Sequence, residues 1–569
     1  MTGMRTKTRS LSALLAASSA VLFQVAACGS SDCSETRSCG EWDGSGARAG
    51  NASGGHHFAG SGGAAGSEEA GASSGGVAGG APPSGNAGAA GDVNAAGSGG
   101  APVPACDTSK SPSTEACIVN DEYAVFVAPS GRQDAEGTRA EPLLSIRAAI
   151  TRASEQNKVV IVCNAEYDEA LTIGSGARVY GGFACPDSKS SAAWAYQAGS
   201  RPVIVPSTPR SALTIEDVAD PIVLEDLEFE ALDATAPGES SIGAIVVNAS
   251  SVQLTRVSIS ARSGAAGADG ESGDPGDDGV AAGSAQRGHA AVCGASAPVV
   301  QAGGSWPASV CGSRGGPGGV GNFETDGSPG IQGSPQENVV AADGKGGAPD
   351  TTGGAGKPGS AGTPGSTAVA SKASGTFTPA GYTPHVPSHG GDGYPGQGGG
   401  GGGASHASGN MCTGASGGAG GLGGCGGKGG QGGQGGGASI ALLSWSSQIT
   451  LQDCDLRSGS GGKGGKGGAG GPGGEGASGA EGGLGTSDLS IGRGGSGGPG
   501  GDGGPGGAGA GGHGGPSYAL VFHDGPVSDA GGNTWISGPG GERGSGGGSG
   551  ARQAPNGNAG ASEQEFEVD

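Results

Sequence analysis

The chain has 569 residues, of which 135 are glycine, 33 proline and 12 cysteine, with a formal net charge of −23 and 4% aromatic residues. Glycine at roughly three times its usual share excludes an ordinary globular chain over the whole length, because segments without side chains cannot bury an apolar core. The acidity excludes a basic footprint for phosphates, so no nucleic acid partner is expected.

At the N-terminus Arg5, Lys7 and Arg9 precede a short apolar stretch over 11–25 that ends in small residues. Residues 1–27 therefore read as an export signal, too short and too serine-interrupted for a membrane span. Val25-Ala26-Ala27-Cys28 resembles the lipobox of bacterial lipoproteins. That resemblance implies cleavage before Cys28, a palmitate-type lipid on it, and a membrane partner reached through that lipid. Gly29, in place of the aspartate associated with inner-membrane retention, implies the outer membrane and the cell surface. The competing reading is a plain secretory signal with Cys28 as half of a disulfide. Both place the mature chain in an oxidising compartment.

Residues 28–105 are Gly, Ala and Ser with almost no branched apolar side chains, the composition of a disordered tether. At Cys106 the composition changes, and 106–262 carries valine, isoleucine and leucine at alternating positions. Tyr123 to Val127 reads as a strand and Pro129-Ser130-Gly131 as a turn. Pro142 at a first helical position, with Leu143, Ile146, Ile150 and Ala153 at helical spacing, predicts a capping helix near 142–156. Short strands are predicted at 159–163, 171–173, 178–180, 203–205, 213–215, 222–224 and 227–229.

An internal repeat then fixes the fold class. Leu224-Glu225-Asp226-Leu227-Glu228-Phe229, Leu254-Thr255-Arg256-Val257-Ser258-Ile259 and Leu451-Gln452-Asp453-Cys454-Asp455-Leu456 align without gaps, and Ile222, Val252 and Ile449 each precede the shared leucine by two. Units that cannot bury their own apolar face must stack, which predicts a mainly β solenoid. Cys454 takes the place of Leu227 and Val257 and is predicted to be a buried free thiol.

Because the third hexad follows a glycine-rich gap, the chain must leave the stack and return. The expected order is an insertion at 263–437, a rung at 438–458, a hairpin-like insertion at 459–515, a last rung at 516–537 and a Gly-rich acidic tail at 538–569. Both insertions begin behind the same strand, and re-entry at Gly437-Ala438-Ser439-Ile440-Ala441-Leu442 resembles Gly515-Pro516-Ser517-Tyr518-Ala519-Leu520. The arms are therefore expected to project side by side from one corner.

Glycine falls at every third residue from Gly461 to Gly485 and, after 486–491, from Gly494 to Gly515. The first insertion repeats the device at 264–279, 353–365, 390–402 and 414–435. A three-residue period matches the threefold left-handed extended helix, which rises ~3.1 Å per residue and would carry each arm on the order of 75 Å. Faces without side chains let neighbouring backbones form N–H···O and Cα–H···O contacts. Polyglycine-II-like arms with the variable residue facing solvent are the preferred reading. A flexible linker needs no period, collagen needs more proline, and calcium-binding nonapeptides need aspartate in a fixed glycine frame.

With Cys28 lipidated, eleven cysteines remain. Cys33 with Cys39, Cys106 with Cys117, Cys163 with Cys185, Cys293 with Cys311 and Cys412 with Cys425 are neighbours along the chain and are the candidate disulfides, spacing alone leaving their connectivity open. Structural zinc is the competing reading, but no CxxC pair exists. No metal and no cofactor are expected. Gly494 to Gly498 and Gly414 to Gly418 satisfy GxSxG without a preceding strand, and Lys428 lacks the Ser or Thr of a phosphate loop. Asp226 aligns with Asp453 and Glu228 with Asp455; such stacked acids could serve as an acid and base pair or bind calcium. Arg256 between them predicts an ion-pair ladder instead. Trp194, Tyr196, Trp445, Tyr518 and Trp535 are the candidate sugar-stacking aromatics. No catalytic residue is assigned.

Val125-Phe126-Val127-Ala128-Pro129-Ser130-Gly131, then Gly137-Thr138, Pro142 and Ile146-Arg147-Ala148-Ala149-Ile150, resembles the opening of pectin-lyase-like right-handed parallel β-helix proteins. Val179-Tyr180-Gly181-Gly182-Phe183 with Cys185 is similar to myxobacterial glycine-rich (PGRS-like) surface lipoproteins of that class. The resemblance spans about 123–260 with short rungs near 438–457 and 516–537, and implies a right-handed parallel β-helix with glycine-rich insertions. The function expected is non-enzymatic: a lipid-anchored surface protein with a structural, adhesive or matrix role, its partners an extracellular polysaccharide or a neighbouring cell surface. Carbohydrate binding or cleavage, and ice or crystal-surface binding, are the alternatives.

Overall fold

The computed structural model describes residues 106–186, 194–305, 308–335, 347–348, 350–407 and 411–569. The fold is mainly β, with three parallel sheets. The hexads explain how they form: each supplies the end of one strand, a corner residue, and the next strand. Leu254 pairs in register with Leu224 on one side and Leu451 on the other. Ile259 lies likewise between Phe229 and Leu456.

The first sheet contains Ala124–Arg132, Val159–Cys163, Ala177–Phe183, Ile222–Glu225, Val252–Thr255, Ile449–Gln452 and Val527–Asp529. The second contains Glu166–Asp168, Val203–Val205, Glu228–Glu230, Ser258–Ser260, Asp455–Arg457 and Thr534–Ile536. The third contains Leu171–Ile173, Leu213–Glu216, Ser241–Val247, Ser439–Trp445, Ser517–His523 and Ser562–Glu567. After Ala124–Arg132, the chain visits them in rotation from Val159–Cys163 onward, so each circuit adds one strand to each sheet. A continuous apolar column fills the space between them, including Leu224, Leu227, Phe229, Leu254, Val257, Ile259, Leu451, Cys454 and Leu456.

The corner residues adopt left-handed backbone. Asp226, Arg256 and Asp453 have φ of 55°, 53° and 53°, and at a second corner Asp217, Asn248, Ser446 and Asp524 do the same. Asp and Asn tolerate this region through short polar side chains, which accounts for Asp226 and Asp453 at the third hexad position.

The helix begins later than its spacing predicts. It spans Ile146–Gln156, with Ser145 as N-cap accepting from the Ala148 amide at 3.3 Å and Glu169 receiving the Ile146 and Arg147 amides. Pro142 stays outside because Leu143 forms parallel bridges with Val127 and Arg132. Ile146, Ala149, Ile150 and Ala153 face the column. The expected strand 178–180 extends over Ala177–Phe183, and Glu166–Asp168, without apolar alternation, went unpredicted. Residues 538–569 are more than a tail: they close a further circuit and end in the strand Ser562–Glu567, which pairs with Ser517–His523.

Candidate functional site

Two features stand out from the sheets: a serine-lined corner from which the insertions leave, and the array that the insertions build. Exit follows the second-sheet strands ending at Glu230, Ser260, Arg457 and Ile536, and return occurs at Ser241, Ser439, Ser517 and Ser562, which head third-sheet strands. Each serine closes its own circuit. Ser439 Oγ donates to the Arg262 carbonyl at 2.6 Å, Ser517 Oγ to Gly459 at 2.7 Å and Ser562 Oγ to Gly538 at 2.7 Å. The first two circuits are also tied to their successors: Ser241 Oγ accepts from the Arg262 amide at 3.0 Å, and Ser439 Oγ from the Gly459 amide at 2.8 Å. Ser241, Ser439 and Ser517 are buried. This column was missed from the sequence, although the matching Ala438-Ser439 and Pro516-Ser517 re-entry points carried the signal.

Beyond the corner, extended segments run side by side and bond at every third residue. Gly264, Gly267, Gly270, Gly273, Gly276 and Gly279 donate to Ser460, Lys463, Lys466, Ala469, Pro472 and Glu475. Gly462, Gly465, Gly468, Gly471 and Gly474 donate to Gly437, Gln434, Gln431, Lys428 and Cys425, in the opposite sense. The innermost run spends successive amides in three directions: Gly398 and Gly401 on Ser334 and Ile331, Gly399 and Gly402 on Gly421 and Gly418, Gly400 and Gly403 on Lys357 and Gly354. Carbonyls also lie against the Cα atoms. A Cβ on Gly402 would fall on the Gly495 carbonyl, and one on Gly465 on that of Ala268.

In three runs the glycine count per triplet follows how many sides of the segment are covered. The run 398–403 is all glycine and buried throughout; 461–475 has two glycines per triplet with Lys463, Lys466, Ala469, Pro472 and Glu475 exposed; 264–279 lies at the margin with one. Margin aspartates meet amides that no backbone carbonyl reaches: Asp269 accepts from the Lys466 amide at 2.6 Å and Asp278 from that of Glu475 at 2.7 Å.

The array is also cross-linked. Cys106–Cys117 and Cys163–Cys185 are bonded near the sheets, but the neighbour pairing of the other four is overturned: the bonds are Cys293–Cys412 and Cys311–Cys425, spanning 119 and 114 residues. The physical reason is topological. Antiparallel pairing of Val292–Cys293 with Cys412–Thr413 sets Cys293 opposite Cys412, whereas proximity in sequence brings nothing together in an extended segment. Cys28, Cys33 and Cys39 lie outside the described residues. Cys454 is free and buried in the apolar column, and burial pushes its thiol pKa up.

The aligned carboxylates do not form a paired acid and base. Asp226 is buried and accepts from Arg256 Nε at 2.8 Å, Arg256 Nη2 at 2.9 Å and the Tyr196 hydroxyl at 3.0 Å. Glu225 accepts from Arg256 and from the hydroxyls of Ser111 and Ser113 at 2.7 and 3.0 Å. These carboxylates hold the Arg256 pKa above its ordinary value, with the Asp226 hydrogen bond the main cause. The ladder reaches down only: Arg256 engages Asp226 and Glu225, while Asp455 pairs with Arg201 at 3.2 Å. Among the described residues no group of three or more His, Cys, Asp or Glu side chains is placed to hold a metal ion.

No protein-family model matches the chain, and no curated protein or solved structure matches it. The candidate aromatics are engaged in packing. Trp194 is buried against Phe126 with ring centroids 4.7 Å apart, Tyr518 stacks on Phe566 at 4.9 Å, Trp445 packs on His523 at 4.2 Å, and Trp535 covers the end of the apolar column. Among the described residues no helix is long and apolar enough to cross a membrane.

Proposed function

We propose that this chain is a lipid-anchored, non-enzymatic surface protein in which a right-handed parallel β-helix holds out a packed bundle of polyglycine-II-like arms for a structural, adhesive or matrix role. The observation that carries this reading is the three-residue hydrogen-bond ladder of the array. It consumes the backbone groups of the inner segments and leaves third-position side chains, such as those from Lys463 to Glu475, facing outward at one fixed spacing. Such a lattice is an extended, stiff display surface. Its chemistry sits on the outside, where a partner polysaccharide or cell surface would meet it. The rotation through three sheets supplies the scaffold, and the serine corner sets the arms side by side. Anchoring at Cys28 rests on the sequence 25–28.

The test is fractionation with surface proteolysis of cells making the full chain or its Cys28→Ser variant. The wild-type chain should sediment with membranes and be cleaved by protease added to intact cells, and the variant should leave the membrane fraction. A wild-type chain that stays soluble defeats the anchor, and turnover of any polysaccharide in a reducing-end assay defeats the non-enzymatic reading.

A further inference from the structure

The arm 538–547 lies in a furrow between two others. Gly461, Gly464 and Gly467 donate to its Pro539, Glu542 and Ser545 carbonyls, and its Gly541, Gly544 and Gly547 donate to Gly515, Gly512 and Gly509. Both walls continue past its end. The donor row runs on through Gly470, Gly473, Gly479 and Gly482, and the acceptor row through the carbonyls of Gly506, Gly503, Gly500, Gly497 and Gly494. None of these backbone groups has a hydrogen-bond partner among the described residues. The Gly476 amide, in the same row, is taken by the Asp502 carboxylate at 2.9 Å. In register and polarity the uncovered length repeats the covered one, so its backbone would pair with a further extended strand having glycine at every third residue.

Side chains at one position per triplet distinguish the two lengths. Under the arm that position is Gly511 and Gly514, where a Cβ would fall on the carbonyls of Gly544 and Gly541. Beyond it the same position holds Ala508, Pro505, Asp502, Pro499 and Ser496. At Ala508 the arm turns away: Gly548 has φ of +74°, and a Cβ there would lie 3.1 Å from that of Ala508. Pro505 and Pro499 also lack the amide that Gly511 and Gly514 give to Pro555 and Asn558.

We infer that the furrow between 470–482 and 494–506 is a strand-addition site for a glycine-every-third extended peptide, held closed by Ser496, Pro499, Asp502, Pro505 and Ala508. The problem resembles that of an open β-sheet edge, where unpaired backbone invites another chain unless charge or proline blocks it. Wherever two copies of such a chain meet, the five side chains keep one array from capturing glycine strands of the other. This inference stands on the hydrogen-bond register and is independent of the anchor and of the display role.

The probe is a fluorescent synthetic peptide carrying residues 538–547, titrated by anisotropy into the full chain and into its S496G/P499G/D502G/P505G/A508G variant. The variant should bind at least tenfold more tightly than the wild type. Equal binding by the two, or no binding by a variant that keeps its array amides protected from hydrogen exchange, overturns the inference. If the fivefold variant does not fold, P505G/A508G decides: the peptide should slow exchange at the Gly470 and Gly473 amides of that variant and leave the wild type unchanged. Unchanged exchange in the variant overturns the inference as well.

Discussion

The three sheets and the glycine array solve one problem, excluding water from a long stack of chain, by opposite means. In the sheets the side chains fill the interior, and Leu227, Val257 and Cys454 succeed one another at a single position of the column. Such a core tolerates exchange among apolar residues of similar volume, because rotamers and neighbours adjust. In the array the backbone is the interior. Each covered face is closed by N–H···O bonds that contribute about 1 kcal/mol apiece, with Cα–H···O contacts adding roughly 0.5–1 kcal/mol. Positions whose Cα faces a neighbouring carbonyl, such as Gly402 and Gly465, accept glycine alone, and outward ones accept Lys, Pro, Glu or Ser. Tolerance to substitution is thus set by side-chain volume in one half and by the mere presence of a Cβ in the other.

The largest expected effect comes from adding one methyl group to the array. Gly402→Ala places a Cβ on the Gly495 carbonyl in a segment surrounded on all sides. Neither backbone can give without breaking ladders on both, so the cost should exceed about 4 kcal/mol, the range reserved for exceptional substitutions. Hydrogen exchange should report loss of protection along 398–403 and 495–501. Pro472→Ala, on an exposed face of the same array, should stay within about 0.5 kcal/mol. If both substitutions are mild, the array is not held by its backbone, and the contrast with the sheets fails.

A smaller effect is expected from emptying the sheet core. Leu254→Ala removes a fully buried side chain stacked between Leu224 and Leu451 and should cost about 3 kcal/mol in denaturant unfolding. Leu254→Met should cost less than about 1.5 kcal/mol. Were Met as damaging as Ala, the tolerance ascribed to side-chain packing would be wrong.

The same contrast explains what could be read from the sequence. The hexads declared their stacking because period-two alternation encodes which side chain faces inward, and Leu224, Leu254 and Leu451 pair accordingly. Third-position periodicity declared the arms and, over 461–475, which residues face out; in 414–435 the third positions Ser416, Ala419 and Leu422 are buried instead, because other segments cover that side. Which arm adjoins which was not legible, since Gly-Gly-X carries no side-chain information to distinguish neighbours. The cysteine pairs 293–412 and 311–425 depend on that adjacency. Residues 538–569 looked like a tail because the circuit they close has short arms and a strand, Ser562–Glu567, in which three glutamates replace the apolar alternation. Those charges suit a final strand with one open edge.

The subtlest test of the contrast uses His513, the one histidine buried in the array among the described residues. His513 occupies a position where its neighbours are glycine, and its Nδ1 accepts the Asn558 amide at 2.9 Å. Burial pulls its pKa below 6.5, with His385 acting in the same direction and the Ser371 carbonyl opposing. The neutral ring is required because a protonated Nδ1 has no lone pair for that amide. Since the folded pKa lies below the unfolded one, His513 contributes its full stability above about pH 6.5. As pH falls from there toward the folded pKa, the unfolded chain takes up the proton first and stability declines. Exchange protection at Asn558 and Gly514 should therefore weaken on acidification through that window, while protection of the third-sheet strand Ser241–Val247 holds. His513→Gln should remove the pH dependence at those two amides. A decline that persists in the variant would assign the acid sensitivity to the margin aspartates, and the array would then be governed from its surface.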